Sequence, residues 1–465
     1  MKFSSTIVIV MVLLIASCSG GQKKSVQEPE KSFTGASGEV KLMTLDPGHF
    51  HAALVQKNMY DQVDPTVYVY APEGPDVEGH LALIGRYNSR EENPTNWIEE
   101  VYRGPDFLEK MLKEKPGNLM VTAGNNAKKT EYIYQTVNAG INVLADKPMV
   151  IDPAEFPKLE EAFEIAREKG VLLYDIMTER YEITTVLQRE LSGLPEVFGE
   201  LQTGTEENPA ITKESVHHFF KYVSGSPLKR PAWYFDTGQQ GEGIVDVTTH
   251  LVDLIQWEAF PEVVLKKSDV EILSASRWTT ELTPEMFKKV TLLDSYPGYL
   301  QKDLDGDVLK VYSNGEINYK LKGKHAKVSV IWNFQAPEGA GDTHYSIMRG
   351  TLCNLIVQQG KDEDYKPQLY IEAVGEDINA FSGSLYNAIQ GLTAKYRGIE
   401  LEKIGDRKWT LHIPEEYKVG HEAHFSQVTE KYLQFLVDGK LPDWEVPNMI
   451  VKYYTTTEGL KAALK

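Results

Sequence analysis

Residues 118–148 read NLMVTAGNNAKKTEYIYQTVNAGINVLADKP. The apolar run at 118–122 predicts a strand, residues 127–139 a helix stopped by Gly140, and residues 142–145 a further strand. Strand, helix and strand in that order wind into a right-handed β-α-β unit with a parallel sheet. Upstream, strands are predicted at 40–45 and 67–71 and a short helix at 105–115. Downstream, a charged amphipathic helix at 155–169 ends at Gly170, before a strand at 171–176. Residues 39–180 are therefore expected to form an α/β, Rossmann-like, doubly wound domain of the dinucleotide-binding kind.

The pattern changes after Val197. Longer strands are expected at 198–203, 327–334, 346–351 and 368–373, with few helices between them. They predict an α+β domain over 181–465 built on a mostly antiparallel open sheet, closed by helices at 426–437 and 448–464. The acidic stretch 303–307 lacks the spacing and distal Glu of a calcium loop and reads as a plain turn.

The chain has 465 residues, 42% hydrophobic and 25% charged, which excludes a disordered or collagen-like protein. Its net charge of −18 argues against nucleic acid as a partner, because phosphate binding needs a basic face. Residues 1–17 read as a signal peptide: Lys2 is followed by an apolar run too short for an ordinary membrane span, then by Ala16-Ser17-Cys18. This ending is similar to a bacterial lipobox, so Cys18 is expected to be lipidated, with residues 18–38 a flexible tether. The expected location is the bacterial cell envelope, as a lipoprotein of the outer membrane facing the periplasm. Cys353 is then the one remaining thiol, and no internal disulfide is expected.

The first turn of the parallel domain reads LDPGHFHAA from Leu45 to Ala53. A dinucleotide fold places G-x-G-x-x-G here, so that backbone approaches a pyrophosphate. Only Gly48 survives; Asp46 and His51 replace the flanking glycines, and an ordinary strand-helix turn is the competing reading. Gly48, His49, Phe50 and His51 are the candidate cofactor contacts, with Glu73, just past the second strand, positioned for a ribose diol. His49 and His51 have metal-ligand spacing, but no Cys or acidic cluster accompanies them, so no metal is expected. His421 and His424 read as a solvated helix start. Lys147, at a strand's C-terminal end, is placed where open α/β sheets bind ligands. Asp246 and His250 are four apart; on one helix face the carboxylate would orient the imidazole, a base suited to take a hydroxyl proton.

Residues 139–148, AGINVLADKP, resemble the A-G-K-H-V-L-x-E-K-P signature of the Gfo/Idh/MocA family, named for glucose-fructose oxidoreductase and inositol dehydrogenase. Residues 241–253, GEGIVDVTTHLVD, are similar to its G-G-G-x-x-x-D-x-x-x-H-x-x-D segment, in the family's order and approximate separation. The C-terminal stretch resembles the oxidoreductase C-terminal domain of Bacteroidetes-type members. The resemblance implies catalysis by Lys147, Asp246 and His250, and NAD rather than NADP as cofactor. It also implies cofactor contacts from Asp146, Lys147 and Asn126, the last through T-P-N-x-x-H, whose His is Lys129 here. Arg180 matches its R-[FY] strand end, and Lys221, Trp233 and His344 are expected beside it as carbohydrate contacts. A homo-oligomer is implied by analogy. The expected reaction is hydride transfer at a carbohydrate or polyol hydroxyl. Two alternatives remain: redox-neutral glycoside cleavage by oxidation, elimination and reduction, and a non-catalytic carbohydrate-binding lipoprotein.

Overall fold

The computed structural model describes residues 33–223, 226–336 and 340–465. The signal peptide and Cys18 lie outside them. Six strands, β1 (Leu42–Leu45), β2 (Thr66–Ala71), β3 (Ile98–Arg103), β4 (Leu119–Thr122), β5 (Asn142–Asp146) and β6 (Leu173–Ile176), form an all-parallel sheet. Its order is β3-β2-β1-β4-β5-β6, with the strand order reversing between β1 and β4. Ligands bind at such a switch point, beyond the carboxyl ends of the strands. Four strands are buried at every position, as a sheet covered by helices on both faces requires.

Two elements of this sheet escaped the sequence reading. β3 is the edge strand, IEEVYR, with three charges in six residues and no fully buried position. The Pro75–Ser89 helix carries Gly79 and Gly85 in its interior and little apolar periodicity. The tether boundary is also corrected. Phe33 is only 5% exposed and belongs to the first core, so residues 33–38 are part of the fold.

The second sheet has ten strands and is antiparallel apart from one parallel pair, Ile211–Phe220 with Lys324–Gln335. The strand expected at 198–203 does not form; Leu201 makes only an isolated bridge to Gly350. Val308–Leu321 contains Asn314-Gly315, an apparent turn signal, yet runs straight through it. Gly315 is needed there because a Cβ would stand 2.7 Å from the Cβ of Ile244. Likewise a Cβ on Gly243 would fall 1.8 Å from the Ser313 carbonyl oxygen. The loop leading to the Thr248–Ala259 helix is thus pressed directly onto this strand.

The last two helices do not simply close the second domain. In His421–Asp438, Phe425, Tyr432 and Leu436 pack into the core of the first sheet. In Glu445–Ala463, Met449 and Tyr453 belong to that core while Val451 and Leu460 belong to the second. Among the described residues no helix is long and apolar enough to cross a membrane. Cys353 is buried and unbridged.

Candidate functional site

The cleft forms where the carboxyl ends of β1, β4, β5 and β6 meet the second domain. Lys147 is the first residue after β5. Its Nζ donates to Asp246 Oδ1 at 2.6 Å, and Gln240 Nε2 donates to Asp246 Oδ2 at 3.0 Å. The side chains of Lys147 and Asp246 are 11% and 6% exposed, so the pair is largely desolvated. The Thr248–Ala259 helix begins only at Thr248, leaving Asp246 in the preceding turn. The carboxylate therefore orients Lys147, not His250 as the spacing predicts. His250 Nδ1 is buried without a partner. Burial, with Lys147 and His421 beside it, holds the His250 imidazole well below its usual range, so it is neutral at pH 7.

Asn126 Nδ2 donates to the Gln240 carbonyl at 2.7 Å, closing the base of the cleft. Lys129, in the place of the family's His, is fully buried; its Nζ donates to Asn126 Oδ1 at 2.5 Å and to the Asp146 carbonyl at 3.0 Å. Burial pulls its pKa down to about 8. Lys221 donates to Asp342 Oδ2 at 2.5 Å, and His217 and His218 also face that carboxylate, at 3.2 and 3.1 Å. Burial would raise Asp342, but hydrogen bonds from both imidazoles outweigh it and hold the carboxyl well below the usual range. His344 lies on the neighbouring strand, Thr343–Arg349, with its Nε2 unpartnered; burial takes its pKa down to about 3.

Two predicted substrate contacts are placed elsewhere. Arg180 forks onto Asp253 (Nε to Oδ2 2.6 Å, Nη2 to Oδ1 2.7 Å) and reaches Glu445 Oε1 at 2.8 Å. Lys452 completes this buried network, 2.9 Å from Asp253 and 2.7 Å from Asp175. Its role is to fasten three elements together. Trp233 lies over the first turn: its Nε1 donates to Asp76 Oδ2 at 2.8 Å, and a Cβ on Gly48 would meet the indole at 3.2 Å and Asp76 at 3.1 Å.

Sequence reasoning missed Glu179, one residue before Arg180 in the Thr178–Tyr181 turn after β6. Burial and the neighbouring Glu182 raise its carboxyl to about 7, against the opposing pull of Lys147 and Lys221. It also missed Gln240 and Asp76, which no local motif marks. His421, read as solvated, stacks its ring 5.2 Å from that of His51, and His424 is buried.

A cavity of about 110 Å³ opens beyond β1 and β2, lined by Glu73, Gly74 and Asp46 among others, where an adenosine ribose lies in such folds. Lys147, Asp246 and His250 stand at the opposite end. Between them the Gly48 face is covered by Trp233 and Asp76, and the amides of Gly48 and His49 are turned onto the Ala123 carbonyl at 3.2 and 3.1 Å. Asp46 stands at φ +49°, a glycine-like conformation, and burial and Asp76 both raise its carboxyl. Pyrophosphate would reach Gly48 only after Trp233 lifts away.

Comparison with known proteins fits this architecture. A family model described as "Putative oxidoreductase C terminal domain" matches residues 187–464. The crystal structure of "a putative oxidoreductase from Parabacteroides merdae ATCC 43184" is 60% identical, with a TM-score of 0.92 over 93% of this chain and 99% of that one. The NAD complex of GenD2 from gentamicin A biosynthesis is similar in fold at 15% identity, with a TM-score of 0.54 over 94% and 97% of the two chains. So is the NADP complex of KijD10, a 3-ketoreductase from Actinomadura kijaniata, at 12% identity and a TM-score of 0.54 over 91% and 97%. No curated protein matched the chain.

Proposed function

The chain belongs to the oxidoreductase family defined by this C-terminal domain, and on that premise we propose a Gfo/Idh/MocA-type enzyme that uses a nicotinamide cofactor to act on a carbohydrate or polyol hydroxyl. The observation that carries this reading is the Lys147–Asp246 pair at the cleft, with the neutral His250 beside it. Nicotinamide is supported by the two nucleotide-bound neighbours of the same fold and by the Glu73 cavity. Glu73 would bind a ribose diol and repel a 2′-phosphate, which favours NAD. When bound, the nicotinamide accepts or returns hydride at the substrate carbon.

The protein's own residues handle the proton. The Lys147 ammonium, aimed by Asp246, donates to the substrate oxygen and stabilises the charge that develops there. His250, uncharged and beside Lys147, accepts the hydroxyl proton. Lys221, fixed by Asp342, offers a second cationic donor for a neighbouring hydroxyl. Glu179 favours a second reading. A carboxyl raised to about 7 is half protonated at neutral pH and suits protonation of a leaving group, as redox-neutral glycoside cleavage demands.

Absorbance at 340 nm, followed with NAD against a panel of sugars and polyols, tests the first reading. Aglycone release without net NADH selects the second. Failure of both, with no nucleotide binding by calorimetry, would refute the nicotinamide assignment. Envelope location through Cys18 is proposed alongside. Cys18→Ala should abolish acylation and leave an unprocessed or soluble form on fractionation.

A further inference from the structure

We propose that His49, His51 and Asp146 bind a divalent transition-metal ion at the mouth of the parallel sheet. One ligand atom from each of the three lies within 4.8 Å of the other two. Ligands bonded at about 2.0–2.2 Å around a tetrahedral ion stand roughly 3.4 Å apart, so small side-chain movements close the set. His51 Nδ1 and Asp146 Oδ2 are already at 3.0 Å. The carboxylate absent from the sequence around the His49-x-His51 pair is supplied by the fold, since the carboxyl end of β5 lies one strand beyond β4 from that of β1. Two imidazoles and one carboxylate are the donor set of many zinc and non-haem iron centres.

Three further observations support the assignment. His51 and Asp146 are buried, 9% and 5% exposed, so little water competes for their ligand atoms. His421, its ring centroid 5.2 Å from that of His51 at a tilt of 41°, is a further imidazole beside the set, and water would fill the fourth position. The lysines that would oppose a cation are already engaged: Lys147 by Asp246 and Lys221 by Asp342. Lys129 is pinned between Asn126 and the Asp146 carbonyl. His49 is half-buried beside Lys147, so an open coordination position would face the cleft. This inference does not depend on the hydride reaction.

Metal content of the full-length protein, purified without chelator, is the first measurement, and elemental analysis distinguishes zinc from iron. About one equivalent is expected. Chelator-treated protein should bind one Zn²⁺ by calorimetry, and Co²⁺ should give visible ligand-field absorption. His49→Gln and Asp146→Asn should each weaken Zn²⁺ binding by about 10-fold or more, while His412→Gln, whose side chain is 64% exposed, should not. Zn²⁺ should raise the melting temperature of wild type but not of His49→Gln, whose half-buried site makes misfolding an unneeded explanation. Absence of metal as purified together with no Zn²⁺ binding would overturn the proposal. So would unchanged binding in a His49→Gln/His51→Gln double variant.

Discussion

Lys147 and Asp246 sit 99 positions apart in the chain and share a 2.6 Å hydrogen bond that ties the end of β5 to the turn before the Thr248–Ala259 helix. Beside the proton-handling role proposed for it, the pair is structural, because each partner would be a buried, unpaired charge without the other.

Lys147→Met and Asp246→Asn should therefore each lower turnover by about 10²–10⁴. Each should also cost about 3–5 kcal/mol of stability, as expected when one member of a buried pair is removed. The Lys147→Met/Asp246→Asn double variant should regain part of the stability and none of the activity. Turnover and urea unfolding on the three proteins check this. Additive stability losses would show that the two do not interact.

Arg180→Met should lower stability by about 3–5 kcal/mol through loss of its two partners. Substrate KM should move little in whatever fraction remains folded. Burial alone would raise Asp253, but Arg180 and Lys452 hold it well below the carboxylate range. Its stabilising contribution is thus present above the unfolded pKa of about 3.9 and is lost as pH falls toward the folded value. In Arg180→Met this acid-side loss should be smaller and end at higher pH, because the folded pKa then lies closer to the unfolded one.

Trp233→Ala should tighten NAD binding by about 10-fold, since a cover resting on Gly48 reduces apparent affinity by the fraction of time it is closed. Asp76→Asn, which keeps the indole and removes the charge, should act in the same direction more weakly. Calorimetric titration with NAD measures both. Weaker binding in both variants would assign Trp233 and Asp76 to the nucleotide site itself.

Glu179 carries the pH dependence. Its folded pKa is raised to about 7 from an ordinary value of 4.5. The sign follows: its favourable contribution is full below pH 4.5 and disappears as pH rises through 7. Buried imidazoles held low, such as His250 and His344, pull the opposite way, so the test is a difference: relative to Glu179→Gln, the wild type should lose stability as pH rises from 4.5 through 7. The rate profile near pH 7 should lose one limb in the same variant.

Gly243→Ala should cost about 3 kcal/mol or more, because its methyl would overlap the Ser313 carbonyl oxygen. Thermal unfolding measures it.

The parallel domain was legible because its central strands are continuous apolar runs and the helices between them stop at Gly140 and Gly170. β3 was not, since an edge strand with one shielded side tolerates Glu99, Glu100 and Arg103. Lys147, Asp246 and His250 were legible as a set, but their internal wiring was not. Spacing of four implies a helical pair, and the helix starts two residues too late for it. Arg180 looked like a cleft residue from its neighbours in sequence; its partners Asp253 and Glu445 come from two distant helices, and Lys452 braces Asp253 from the second of them. The His49–His51 pair lacked a visible carboxylate because Asp146 arrives through strand order, a relation that no linear spacing encodes.

The Glu445–Ala463 helix enters both cores and buries Lys452 between Asp175 and Asp253. It is synthesised long after the six-stranded sheet. During translation the six-stranded sheet is complete long before the helices that cover β6 emerge, leaving a wide apolar face bare. A ribosome-bound chain truncated at residue 420 should therefore recruit chaperones and resist folding. Nascent chains of this protein have no safe intermediate made of the N-terminal half alone, and any attempt to express that half as an independent module should yield aggregates.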